Sequence, residues 1–527
     1  MAAPPSEGKI LFLTSNGTGL GHLNRTMAIA RRLPDGIEPV FFTLSQAAPV
    51  VAESGFRVEY YPSYRRPASG SDWQWNLRLR RRLEQLFEDE RPDLVVFDGV
   101  HPYRALTHLL SARGAPTSVW CRRPMWRSSS AKAPLRRTGA FDVVLEPGEL
   151  AAERDSGPTV DRRNEVIELD PIVFSDADEL LPRNAAADQL GLDAERTTAL
   201  VNLGQGGATA GAVARTLRLL DAHPGLQVAT LQSSIGGGLE MPAGVVRLNA
   251  TFPMSRYFRA FDLAVAAAGY NAFHELVAFA VPSLFVPMPR NTDDQRARSE
   301  WAAETGVARA VSGPGDGRLE AELRALLREP ERDKIAAACR RLDPANGAGE
   351  AAAVLVELLA GEQPGPEIRR PGRLGRWLRL SSHPVGPSLP LALVQTAGAR
   401  LYTPERGRPR ALVYSLGEPE RDRRAELEQA IDSFGMPRDR VMVITDSLDF
   451  EPLRELGVAF RRIPAAAELG LEFDDPEYRH LLDRRLDQAL APWRGRWPIK
   501  RIGTGNQILR EEAGRAAKVA AAGEGQA

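Results

Sequence analysis

Ile10-Leu11-Phe12-Leu13-Thr14-Ser15-Asn16-Gly17-Thr18-Gly19-Leu20-Gly21-His22 is the stretch on which the fold turns. Its first residues form an uncharged apolar run, which reads as a strand buried on both faces. Gly17, Gly19 and Gly21 then read as a sharp turn, and the pattern from His22 to Leu33 reads as a helix. A strand that passes through glycines into a helix opens a parallel α/β unit. Its loop can approach a ligand closely, and its helix start offers free N–H groups at the positive end of the helix dipole.

Working outward, short apolar runs recur at Val40–Leu44, Leu94–Asp98, Val119, Val143–Leu145 and Val166–Leu169, with helical patterns between them. The stretch Asp170–Pro182, rich in carboxylates and bounded by prolines, interrupts the alternation. A second series then begins: Ala199–Leu203, Gln227–Leu231, Val245–Leu248, Leu263–Ala267 and Ser283–Val286. The expected fold class is therefore α/β, in two successive halves of similar size, 9–170 and 183–360. A Pro-, Gly- and Arg-rich linker is expected over 361–394. Runs at Ala411–Tyr414, Val441–Ile444 and Phe460–Ile463 predict a smaller C-terminal α/β domain, 395–505, to which no role is assigned.

Composition narrows the function classes. The chain has 527 residues, 43% hydrophobic and 26% charged, which suits several globular domains and excludes wholesale disorder. Basic and acidic residues balance at 68 each, so no global attraction to nucleic acid is expected. Lys supplies only five of the basic residues, and the Arg excess reads as a compositional habit. The two cysteines, Cys121 and Cys339, cannot build a disulfide framework, fit a reducing compartment and lack companions at zinc-ligand spacing. Neither a secretory signal at the N-terminus nor an uninterrupted apolar span of about 20 residues is visible. The expected location is the cytoplasm, with peripheral contact to the inner face of the membrane as an open role.

Candidate chemistry sits at the strand ends. His22 follows the first glycine loop directly and can act as a general base, because an imidazole accepts a proton near neutral pH. Asp98 ends a later strand, on the same carboxyl edge of a doubly wound sheet, and can orient that imidazole. The glycine spacing is G-x-G-x-G, and the second strand ends in Thr43-Leu44 without an acid; both features disfavour a nicotinamide or flavin site. A second loop, Gly204-Gln205-Gly206-Gly207, again lies between strand and helix and is a candidate phosphate cradle. In Gly269-Tyr270-Asn271-Ala272-Phe273-His274-Glu275, Asn271 is a candidate helix N-cap, and Glu275, one turn later, can accept hydroxyl hydrogen bonds. The loop Pro287–Gln295 can present Asp294 and Gln295 to sugar hydroxyls, or can instead be a polar connection capped at Thr292 or Asp293.

This order of motifs, over about residues 9–360, resembles glycosyltransferases of the two-Rossmann-domain (GT-B) fold, and most of all their MurG-like group, which transfers N-acetylglucosamine from its UDP derivative. The resemblance implies two Rossmann-like domains facing across a cleft, a UDP-sugar donor as co-substrate in the second, and neither metal nor cofactor. Gly204, Gln205, Gly206, Gly207, Gly269, Tyr270 and Asn271 would hold its diphosphate, and Glu275 its ribose. The backbone near Phe252 would read the uracil, and Asp294 and Gln295 would contact the sugar. The loop of Gly17, Gly19 and Gly21 would face a glycan, lipid-linked or small-molecule acceptor, and His22 matches the His that ends the family's first glycine loop. Two departures fall on the acceptor side: the loop is one residue longer than the family's, and Arg25 stands where a Pro is expected.

Other motifs read less specifically. Asp176-Ala177-Asp178 spells a D-x-D, but in a proline-bounded connection, where capping is the better reading than metal binding. Two basic-aromatic stretches, Trp73–Arg82 and Arg369–Leu380, are candidates for an anionic membrane surface or for solvated faces. A UDP-sugar hydrolase or epimerase, and a non-catalytic sugar-nucleotide sensor, are the rival functions.

Overall fold

A computed structural model describes residues 7–15, 20–63, 72–112, 114–204, 210–231, 242–248, 251–366, 411–417, 422–490 and 498–503. It contains three sheets. The first comprises β1 (Gly8–Thr14), β2 (Ile37–Thr43), β3 (Arg57–Tyr60), β4 (Leu94–Asp98), β5 (Thr117–Cys121), β6 (Val143–Glu146) and β7 (Ile167–Glu168), in the order β3-β2-β1-β4-β5-β6-β7. The second comprises β8 (Thr198–Asn202), β9 (Gln227–Leu231), β10 (Val245–Leu248), β11 (Leu263–Ala266), β12 (Ser283–Phe285) and β13 (Arg309–Ala310), in the order β10-β9-β8-β11-β12-β13. Both follow the doubly wound Rossmann plan, in which the chain reverses its direction of winding between the first and fourth strands. The apolar runs are continuous because these strands are covered on both faces: every residue of β4 and of β11 is buried.

The chain divides into two compact units, one of Met1–Val40, Arg91–Pro102 and Leu110–Arg370, the other of Phe41–Glu90, Tyr103–Leu109 and Pro371–Ala527. Four helices of the first unit matter here: α1 (Gly21–Ala30), α2 (Tyr270–Ala278), α3 (Gln295–Thr305) and α4 (Ala348–Leu359). Helix α4 returns from the second sheet to pack on α1 and β4. The return is pinned by Gly347, whose N–H donates to the Pro171 carbonyl at 3.0 Å. A Cβ at Gly347 would stand 2.2 Å from the Asp170 carbonyl oxygen, so only glycine fits. The connection between the halves is fastened beside it. At the start of the short helix Ala177–Glu179, Asp176 N–H donates to the Glu179 carboxylate at 2.7 Å, while the Asp176 carboxylate accepts from Arg32 at 2.6 Å and Asn346 at 2.9 Å.

The second unit contains the third sheet: β14 (Ala411–Ser415), β15 (Val441–Thr445), β16 (Ala459–Arg462) and β17 (Ile499–Ile502), parallel in the order β16-β15-β14-β17. Tyr478, Leu482, Met442 and Ile444 fill its core. The helix Asp72–Glu90, which carries the first basic-aromatic stretch, also belongs to this unit. Trp75 is buried, with its indole N–H donating to the Pro62 carbonyl at 2.7 Å, and buried Arg82 pairs with Glu59. These two side chains are thus spent inside the protein. The second stretch, Arg369–Leu380, lies outside the described residues. Among the described residues no helix is long and apolar enough to cross a membrane.

Candidate functional site

In the first unit, β1 and β4 are neighbours in register, with Thr14 beside Asp98. The site begins where they end. Ser15 N–H donates to the Asp98 carbonyl at 3.0 Å, and a Cβ on Gly99 would approach the Ser15 side chain to 2.7 Å, so the two strand ends close tightly on each other. The Asp98 carboxylate is buried and reaches back to α1. Its Oδ1 lies 2.6 Å from His22 Nδ1, and Arg25 grips both oxygens, Nη2 on Oδ1 at 2.6 Å and Nε on Oδ2 at 3.0 Å.

Burial by itself would raise the Asp98 pKa, but the Arg25 charge and the His22 hydrogen bond overcome it and hold the carboxyl at about 2. An ionised carboxylate only accepts, so at 2.6 Å His22 Nδ1 carries the proton and donates, and Arg25 Nη2, 3.1 Å from the same nitrogen, meets no free lone pair there. Nε2 is then the basic nitrogen, on a side chain that keeps 18% of its surface exposed. Burial lowers the His22 pKa, Asp98 opposes this, and the Arg25 and Arg123 charges reinforce it. The imidazole is therefore neutral, and able to accept a proton, at neutral pH.

Opposite lies the start of α2. Gly269 is its N-cap, and no side chain caps it. The expectation that Asn271 would cap the helix is corrected. The Asn271 amide is drawn away, Nδ2 donating to the Gly21 carbonyl at 3.3 Å and Oδ1 accepting from Arg25 Nη1 at 3.5 Å. Tyr270 is a tie between chain segments: its hydroxyl donates to the Gly148 carbonyl at 2.9 Å and accepts from Ile172 N–H at 3.0 Å. The uncapped first turn, with its dipole, suits an anion. Among the described residues, a Cβ on Gly269 would meet only Gln295 Nε2, at 3.7 Å.

A buried ionic network backs this helix. Glu149, which follows β6, accepts from Arg298 of α3 at 2.7 Å and lies 3.3 Å from His274 of α2. Arg298 also donates to the Ala268 carbonyl at 2.7 Å and to Asp293 at 3.3 Å, and Asp293 is held in turn by Arg123 at 3.0 Å. Burial would raise the Glu149 pKa, but the Arg298 and His274 charges drive it far below the usual carboxylate range. Gln295 is locked into the network, its Nε2 donating to Asp293 at 3.1 Å and its Oε1 accepting from Met288 N–H at 2.9 Å. Asp294 caps α3 by accepting from Ala297 N–H at 3.2 Å, so the cap falls there and not at Thr292 or Asp293.

Glu275 sits one turn into α2, buried, and accepts from Asn24 Nδ2 of α1 at 3.1 Å. Asn24 Oδ1 has no partner among the described residues. Burial raises the Glu275 pKa to about 7, against the lowering hydrogen bonds from Asn24 and the Phe174 backbone. With the folded value above the unfolded one, the folded state binds this proton more tightly. The contribution to stability is whole below the unfolded value near 4.5 and lost as pH rises through about 7. Glu275→Gln is thus expected to melt like the wild type at pH 4.5 and to be more stable at pH 8, by about 3 kcal/mol at most. Parallel melting curves at the two pH values check this; an equal difference at both would show that the carboxylate is not strained.

The remaining expected residues are placed as follows. Gly204 opens the loop after β8 with φ +79°, which requires glycine, and a Cβ there would stand 3.6 Å from Arg290 Nη2. Gly21 begins α1, and among the described residues nothing lies within 4 Å of a Cβ built there. Phe252 packs edge-on to Phe174 at 4.7 Å. Gly17, Gly19, Gln205, Gly206 and Gly207 lie outside the described residues. No group of three or more His, Cys, Asp or Glu that could hold a metal ion occurs among the described residues. Arg123, Glu149 and Arg298 carry no signal in the sequence, and Asp293 is marked there only as a candidate cap. The one usable signal was Arg25, already marked as a departure from the family pattern.

The first unit thus carries paired Rossmann-like halves, with a His–Asp couple on one and an open helix start on the other, and the chain is similar to MurG-like hexosyltransferases. In particular it is 26% identical over 378 residues to the UDP-N-acetylglucosamine–N-acetylmuramyl-(pentapeptide) pyrophosphoryl-undecaprenol N-acetylglucosamine transferase of Clavibacter sepedonicus, spanning 68% of this chain and 100% of that protein. The enzyme of the same description from Mycobacterium bovis (strain BCG / Pasteur 1173P2) is 27% identical over 397 residues, 68% of this chain and 92% of its own length. Among solved structures, the glycosyltransferase SnogD from Streptomyces nogalater aligns with 67% of this chain and 100% of its own, at 21% identity and a TM-score of 0.49. No protein-family model matches the sequence.

Proposed function

We propose that the chain transfers a hexose, N-acetylglucosamine or a close relative, from its UDP derivative to a hydroxyl of an envelope glycan or glycoconjugate acceptor. The donor would lie against α2 and the loop that begins at Gly204. Its diphosphate would meet the α2 N-terminus and its ribose Glu275, with the uracil near Phe252 and the sugar beside Gln295 and Asp294. The acceptor would enter past the glycine loop and place its hydroxyl against His22 Nε2. That nitrogen takes the proton as the hydroxyl oxygen bonds to the anomeric carbon. The bond from that carbon to the diphosphate breaks, and UDP leaves with the electron pair. One displacement inverts the anomeric configuration, and the helix end takes the role a metal ion plays elsewhere, so no metal is needed. Work at the cytoplasmic face of the membrane, on a lipid-linked acceptor, would accord with the substrate named for the relatives.

The observation that carries this reading is the 2.6 Å couple of His22 with an ionised Asp98, set against the uncapped start of α2. A melting-temperature panel of nucleotide sugars tests the donor: a ligand at about 100 times its Kd should stabilise by about 2.7 kcal/mol. No shift with any nucleotide sugar would sink the donor site. UDP release or sugar isomerisation from UDP-N-acetylglucosamine without an acceptor would favour a hydrolase or epimerase. Binding without turnover across an acceptor panel would favour a sensor.

A further inference from the structure

We infer that Arg25 is a positioning residue of this reaction: it fixes the proton of His22 through Asp98 while holding the first turn of α2 through Asn271. The inference rests on His22 being the base. Arg25 and Asp98 are both almost fully buried, at 2% and 1% exposure. A buried carboxylate needs a fixed positive partner, and the guanidinium fork supplies one by engaging both oxygens. The Asp98 Oδ1 that takes Arg25 Nη2 is the same atom that takes His22 Nδ1. With Arg25 in place Asp98 stays ionised, His22 keeps its proton on Nδ1, and Nε2 stays free to accept.

The same guanidinium reaches the other half of the unit. Its Nη1 donates to Asn271 Oδ1 at 3.5 Å, and its carbon lies 5.2 Å from the centre of the Tyr270 ring. Asn271 closes the loop by donating to the Gly21 carbonyl, one residue before His22. Base and donor helix therefore share one side chain. The charged and titratable groups facing His22 are Asp98 of β4, Arg25 of α1 and Arg123 after β5; Cys121 and Tyr270 face Arg25. Arg25 offsets the Asp98 charge, which would otherwise favour the imidazolium. A lysine would keep that charge but not the fork.

The test is ¹⁵N-histidine NMR on the whole chain, with the His22 signal assigned by its loss in His22→Ala, alongside the pH profile of kcat/KM. Wild-type His22 should be the Nδ1–H tautomer, titrating below the ordinary 6.5. Arg25→Leu should raise that midpoint by about one unit, move the acid limb of the profile with it, and lower kcat about tenfold or more. Arg25→Lys should keep the midpoint near wild type yet lose kcat, because the charge stays and the fork does not. Unchanged tautomer, midpoint and kcat in both variants would overturn the inference. Should Arg25→Leu not fold, Arg25→Lys decides: kcat lost at a constant midpoint supports the role, and kcat within about twofold of wild type refutes it. Full transfer by His22→Ala would instead refute the base itself.

Discussion

His22→Ala is expected to lower transfer by about a hundred- to ten-thousandfold while leaving donor binding intact, the range general-base catalysis ordinarily supplies. The imidazole is the one group here that is neutral at pH 7, oriented through one nitrogen and open through the other. Asp98→Asn should lose nearly as much. The amide can donate to Nδ1, which would favour the tautomer with its proton on Nε2, and it leaves Arg25 buried without its counter-charge. The kcat/KM profile of the wild type should keep its acid limb below the ordinary histidine value, because burial and two arginines outweigh Asp98. Donor titrations measure the separation: a variant that loses transfer and keeps its melting shift with the nucleotide sugar has lost chemistry alone.

The second large effect falls on stability. Arg298→Ala should cost about 3–5 kcal/mol, because it strands Glu149 and part of Asp293 in the interior. Among the described residues, Glu149 would keep the Ala151 N–H and His274, each at 3.3 Å, and Asp293 would keep Arg123 and Gln295, with no guanidinium left on Glu149. Urea unfolding of the whole chain, read at its first transition, measures the loss. The double variant Glu149→Leu/Arg298→Met should recover part of it, since both charges then leave together. If the single and double variants lose equally, the pair is not coupled and the site is limited by packing.

The strands most legible in the sequence are the buried ones: Leu94–Asp98 and Gln227–Leu231 stand where the apolar runs put them. The edge strand Val245–Leu248 was legible too, although Arg247 in it is exposed. Arg57–Tyr60, Arg309–Ala310 and Ile499–Ile502 were not legible, because they are short, partly exposed and carry charges. Within the site, the meeting of His22 and Asp98 follows from strand ends sharing one edge, a relation that apolar runs reveal. Arg25 and Arg298 were hidden by abundance. In a chain with 68 basic residues, a buried arginine looks like any other until its partner appears, 73 residues away for Arg25 and 149 for Arg298. Asn271 misled for a different reason: its type and position suit a cap, and only the neighbouring helix start diverts its side chain.

The return of α4 onto α1 sets the order in which the molecule can be assembled. During synthesis, β1, α1 and β4 emerge early, but the helix that covers α1 lies more than 300 residues later. Until Ala348–Leu359 has left the ribosome, the N-terminal half carries an apolar face with nothing on it. Closure of so distant a contact is slow, and the waiting surface is open to association with other chains. Chaperone demand during translation, and failure of residues 1–340 to accumulate as a soluble fragment, are built into this connectivity.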